Sequence, residues 1–76
     1  MPTFLLDLKI GQKARIVGIG NASKLHRRLL EMGLTSGAII QIKAIAPFGD
    51  PISVAIRGSL LSLRKSEASQ IIVELL

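Results

Sequence analysis

The segment Leu29-Leu30-Glu31-Met32-Gly33-Leu34-Thr35-Ser36-Gly37-Ala38-Ile39-Ile40 constrains this chain more than any other. A helical apolar pattern stops at Gly33, and a strand-like pattern begins about five residues later, a connection typical of elements packed together in one compact domain. A helix and a strand joined so closely must share one small core. With 76 residues the chain is expected to be one domain, spanning 1–76. A chain this short buries only about 60% of its unfolded surface, so its core must be efficient. An apolar content of 49% makes that core attainable.

Ahead of the junction, Leu8–Gln12 leads in through a bend at Gly11, and Ala14–Val17 reads as a strand ending at Gly18-Ile19-Gly20. Over residues 22–32, steps of about 100° set Ala22, Leu25, Leu29 and Met32 on one stripe and Lys24, Arg27 and Glu31 opposite. Asn21 or Ser23 is the expected N-cap, and Gly33 is the left-handed residue expected to close the helix. Beyond the junction, Ile40, Ile42 and Ala44 alternate with Gln41 and Lys43, and Ile52, Val54 and Ile56 alternate with Ser53 and Arg57. The loop between them carries Pro47, Gly49 and Pro51, and its prolines would not fit a central strand. Arg57-Gly58-Ser59-Leu60 reads as a hairpin turn, with Gly58 supplying a positive φ. Leu61 and Leu63 then face inward, Lys65–Ser69 makes a single helical turn, and Ile71, Val73 and Leu75 line a closing strand. These patterns predict a mainly β fold. The expected form is a small SH3-like β-barrel of about five strands, with one inserted α-helix and a short helical turn before the last strand.

The residue types leave little room for catalysis. No cysteine is present, which removes disulfides, thiolate nucleophiles and thiolate metal sites, and fits a reducing cytosol. His26 is the sole histidine, and Asp7, Glu31, Asp50, Glu67 and Glu74 are dispersed, so neither an acid–base pair nor a metal-ligand cluster is expected. Gly18-Ile19-Gly20-Asn21-Ala22-Ser23 has serine at the third glycine position of a dinucleotide fingerprint, and the chain is too short for the sheet that fingerprint serves. No apolar run nears the roughly 18 residues of a membrane span, and Met1–Asp7 lacks the basic start and long apolar run of a secretory signal. A cytoplasmic chain without direct membrane insertion is therefore expected.

The net charge of +5 comes from ten basic residues scattered between Lys9 and Lys65. A basic balance favours anionic partners. Specific single-stranded nucleic-acid binding, however, rests on aromatic stacking platforms, and Phe4 and Phe48 are the only aromatics. Protein contact is the better-supported use of the surface. Leu30 falls off the apolar helix stripe, Phe48 tops the loop between Pro47 and Pro51, and Arg27 and Arg57 supply charge beside such apolar anchors. These four residues form the expected partner-binding set, and Gly33, Gly37, Pro47, Gly49, Pro51 and Gly58 the expected structural turns.

From Leu8 to Val73 the chain resembles the ferrous iron transport protein A family. The matching pieces are Leu8-Lys9-Ile10-Gly11-Gln12, the stretch from Leu29 to Gly37, Ala46-Pro47-Phe48-Gly49-Asp50-Pro51, the stretch from Leu61 to Ala68, and Ile71-Ile72-Val73. The resemblance implies an SH3-like, non-enzymatic accessory of ferrous iron uptake without a cofactor. It further implies a regulatory or stabilising interaction with the membrane iron permease, ferrous iron transport protein B, through that protein's cytosolic GTP-binding region. Recruitment to the inner membrane by that partner would follow. The barrel is also similar to the C-terminal domain of metal-dependent repressors of the diphtheria toxin repressor type. No helix-turn-helix pattern precedes it in these residues, so the transport accessory is favoured over a detached regulatory barrel or a nucleic-acid-binding one.

Overall fold

The computed structural model describes the backbone of residues 3–20 and 23–76 and the side chains of 3–20 and 27–76. The chain forms β1 (Thr3–Phe4), a one-turn 3-10 helix (Leu5–Asp7), β2 (Lys13–Ile19), α1 (Ser23–Glu31) and β3 (Ile39–Ile45). It continues through β4 (Ile52–Ile56), β5 (Ser59–Leu63), α2 (Lys65–Ala68) and β6 (Ile71–Leu75). The six strands make one antiparallel sheet in the order β1-β6-β2-β3-β4-β5. Strands β2 to β5 run as a meander, and β6 returns to pair with the free side of β2. This is the mainly β architecture that the patterns predict, with α1 inserted between β2 and β3 and α2 before the last strand. The sheet stays open, with β1 and β5 as its edges, and the additional strand β1 is too short to carry a readable period.

The junction after α1 is built as the sequence demands. The Leu34 N–H donates to the Leu29 carbonyl at 3.0 Å and the Gly33 N–H to the Leu30 carbonyl at 3.0 Å. That bond pair is a Schellman motif, and it needs a left-handed residue at Gly33, whose φ is +93°. The apolar contact that accompanies the motif is supplied by Leu29 and Leu34, both fully buried. The chain then turns at Thr35–Ala38, where the Ala38 N–H donates to the Thr35 carbonyl and Gly37 takes a φ of +90°. The Gly37 N–H donates to the Ile16 carbonyl, and the Ile16 N–H donates to the Ala38 carbonyl. The turn is thereby tied to β2 before β3 begins, so helix end and strand start share one core with Ile16, Ile40, Val54 and Ile71.

Alternation holds throughout β4, where Ile52, Val54 and Ile56 are all buried. It fails at Ala44. The register of β3 against β4 shifts between Ile42 and Ala44, so Lys43 is an extra residue and Ala44 is turned outward and exposed. Leu75 is also exposed rather than inward. The inward face of β6 ends at Val73, and Leu75 lies at the rim beside Gly11 and Lys13. A second bulge, between Ile16 and Gly18, leaves Val17 exposed. Ser23 is the first residue of α1 rather than its cap. Asn21, Ala22 and the side chains of Lys24, Leu25 and His26 lie outside the described residues.

Candidate interaction surface

The four residues expected to face a partner are all exposed. Leu30 is 41% exposed while its neighbour Leu29 is fully buried, so the helix phase separates the two leucines by function. Arg27 lies on the same exposed side of α1's C-terminal half. Phe48 is 94% exposed at the tip of a loop closed by the Gly49 N–H to the Ala46 carbonyl at 2.7 Å and by the Ala46 N–H to the Pro51 carbonyl at 3.1 Å. Gly49 has a φ of +82° there, so Pro47, Gly49 and Pro51 hold an apolar tip that buries almost nothing in its own fold.

Arg57 does not join Phe48. The two sit at opposite ends of β4, whose five residues extend over about 16 Å. Arg57 instead reaches the turn after α1, its guanidinium Nη2 donating to Thr35 Oγ1 at 3.1 Å. The hairpin turn is confined to Arg57 and Gly58, and Ser59 and Leu60 already belong to β5. Both turn residues have positive φ, +50° and +80°, the geometry that matches hairpin twist and favours Asn-Gly. An arginine in the left-handed region is strained. Gly58 supplies the positive φ expected of it, and Arg57 supplies a second one.

Burial of Glu67 was not legible from composition. Its side chain is 5% exposed, the only buried charged residue among those described. Oε1 accepts the Arg64 N–H at 2.8 Å, which caps α2, and Oε2 lies 3.3 Å from Arg28 Nη1 on α1. Oε2 makes no hydrogen bond of acceptable geometry, so the ion pair joins α1 to α2 without fully satisfying the buried oxygen. The signal was the spacing Arg64-x-x-Glu67, in which an acid at the third helical position reaches back to the preceding N–H. A cleft of about 410 Å³ opens beside this pair, lined by Arg28, Asp50, Pro51, Ser62, Arg64 and Glu67. Its two guanidiniums and two carboxylates balance in charge.

Among the described residues, no three His, Cys, Asp or Glu side chains converge. Among those residues, no helix is long and apolar enough to cross a membrane. What the geometry provides is a small open six-stranded sheet with exposed apolar and cationic groups and a helical insert tied to it. Residues 4–75 match the FeoA domain, and the chain belongs to that family.

Its relatives agree. The chain is 36% identical over 72 residues, 95% of its length, to the Fe(2+) transport protein A/Fe(2+) transporter FeoB fusion protein of Porphyromonas gingivalis, of which it spans only 8%. The structure is similar to that of a FeoA-like protein from Clostridium acetobutylicum, with 44% identity and a TM-score of 0.91 over 99% of this chain and 87% of that one. It is also similar to Stenotrophomonas maltophilia FeoA complexed with zinc, described as a procaryotic SH3 domain protein, with 26% identity and a TM-score of 0.84 over 95% and 89% of the two chains. A manganese-dependent transcriptional repressor shares the fold at 25% identity and a TM-score of 0.92, this chain covering 37% of it.

Proposed function

We propose that this protein is a non-enzymatic cytosolic accessory of ferrous iron uptake that docks on the GTP-binding region of the membrane iron permease. The observation that carries the reading is the relative in which the same domain is joined in one chain to the transporter FeoB. Fusion keeps two domains at high effective concentration, which is useful where they act on one another. The contact surface is assigned to Leu30, Arg27 and Phe48, with Arg57 as a separate cationic contact at the far end of β4. Rigid apolar anchors lose little entropy on docking, and flanking arginines steer the encounter.

Interferometry against the soluble GTP-binding region tests this reading. Leu30→Ala and Phe48→Ala each weaken binding by about 1–2 kcal/mol, and Arg27→Glu chiefly slows association and alters its salt dependence. Failure of the wild-type protein to bind would reject the partner, and three variants binding like wild type would reject the surface. The likeness to a manganese-dependent transcriptional repressor supports a second reading, a detached regulatory barrel of the metal-dependent repressor type. Binding to the GTP-binding region separates the two.

A further inference from the structure

A sheet edge exposes unpaired backbone donors and acceptors, and proteins ordinarily blunt it with short strands, charge, proline or bulges. The two edges here differ. β1 is blunted by its length of two residues. β5 has five residues, Ser59-Leu60-Leu61-Ser62-Leu63, with no charge, no proline and an unbroken register against β4. β4 packs along its inner side, and at its far end Ser62 lines the cleft shared with Arg28 and Glu67. In a two-residue hairpin the residues flanking the loop form a hydrogen-bonded pair and the pairs then alternate. Ser59, Leu61 and Leu63 therefore bond to β4, and the N–H and C=O groups of Leu60 and Ser62 point away from the sheet. No other described backbone group meets them. Leu60 is 68% exposed and Ser62 is exposed.

Charge decides what can occupy this edge. Exposed Arg57 precedes β5, and exposed Arg64 and Lys65 follow it. A second copy in full antiparallel overlap would place Arg57 of one chain opposite Lys65 of the other, and like charges directly opposite are destabilising. Asp50 offers little relief, since its Oδ1 already accepts the Lys65 N–H at 3.1 Å. An extended segment with carboxylates toward its ends meets the guanidiniums and ammonium instead. An apolar residue between them would cover Leu60.

We propose that β5 is a β-augmentation site for an extended acidic segment of another protein, held by main-chain bonds to Leu60 and Ser62 and by ion pairs to Arg57 and Arg64. The site lies beyond the Leu30 and Phe48 surface, shares only Arg57 with the contacts proposed above, and does not depend on the identity of the permease as partner.

The test uses the whole chain and a blocked, fluorescein-labelled peptide of alternating Glu and Val, seven residues long. Matched Gln–Val and Lys–Val peptides serve as controls. Amide shifts in the NMR spectrum are expected at residues 58–64, with the Glu peptide binding at least about fivefold tighter than the Gln peptide and the Lys peptide not binding. Leu60→Pro removes one outward N–H without touching the β4 ladder, and it abolishes binding in a chain whose circular dichroism is unchanged. Should that variant misfold, a Glu–Val peptide methylated on alternate amides tests the same bonds with the protein intact, and it is expected not to bind. Shifts elsewhere, equal affinity for the Lys peptide, retained binding of the methylated peptide, or a β5-paired dimer by ultracentrifugation would each overturn the proposal.

Discussion

Two turns in this molecule solve the same geometric problem in opposite ways. The helix-to-strand turn places glycine at its left-handed positions, Gly33 and Gly37, and seals its hydrogen bonds beneath Leu29 and Leu34. The β4–β5 hairpin places Arg57 at a left-handed φ of +50° and leads into a strand whose outer edge is unpaired. The first turn is shaped by the demands of the core. The second keeps a strained cation and an open edge that the fold does not require, and features that stability alone would remove point toward binding.

The contrast can be broken at several points. At the first turn, a Cβ on Gly33 meets nothing within 4 Å, so the cost of Gly33→Val is backbone strain without a clash. It is expected to destabilise the fold by about 2–3 kcal/mol by urea denaturation, since β-branching is poorly tolerated at positive φ. An unchanged midpoint would show that the Schellman turn is not what holds helix to strand. Next in size is Glu67→Ala, which removes the cap on the Arg64 N–H and the partner of Arg28. About 1–2 kcal/mol should be lost, with the effect limited because the Arg28 side chain is 57% exposed and remains solvated. Glu67→Gln keeps an acceptor for the cap and should lose less. Equal losses would assign the whole effect to the ion pair.

At the hairpin the sign reverses. Arg57→Asn suits the left-handed position and is expected to raise stability by about 0.5 kcal/mol despite losing the bond to Thr35. A loss of stability would mean that the Arg57–Thr35 contact outweighs the strain, and that the arginine serves the fold after all.

The same contrast explains what could be read from the chain. Ile52, Val54 and Ile56 announce β4 because a strand of period two with one buried face leaves no other arrangement. Gly33 was legible because a helix ending beside a buried leucine pair needs a left-handed residue. The alternation places Ala44 inward, but a single extra residue at Lys43 inverts the pattern, and a bulge has no compositional mark here. Burial of Glu67 is not encoded locally, because its charge is met by an arginine on α1, 39 positions earlier in sequence, although the Arg64-x-x-Glu67 spacing marks its capping bond. The exposed Leu30 followed from helix phase, whereas the separation of Phe48 from Arg57 depends on sheet order, which local pattern does not encode.

The central claim is that the residues that make the fold and those that meet a partner are distinct even where they are adjacent. Leu29 and Leu30 test it most directly, one fully buried and one 41% exposed. Urea denaturation and interferometry against the soluble GTP-binding region, run in parallel on Leu29→Ala and Leu30→Ala, supply the measurement. Leu29→Ala should lose about 2–4 kcal/mol of stability, as buried leucines do. Leu30→Ala should stay within about 0.5 kcal/mol of wild type in stability and bind the partner more weakly by about 1–2 kcal/mol. If Leu30→Ala destabilises the fold as much as Leu29→Ala, or leaves binding unchanged, the claim is contradicted.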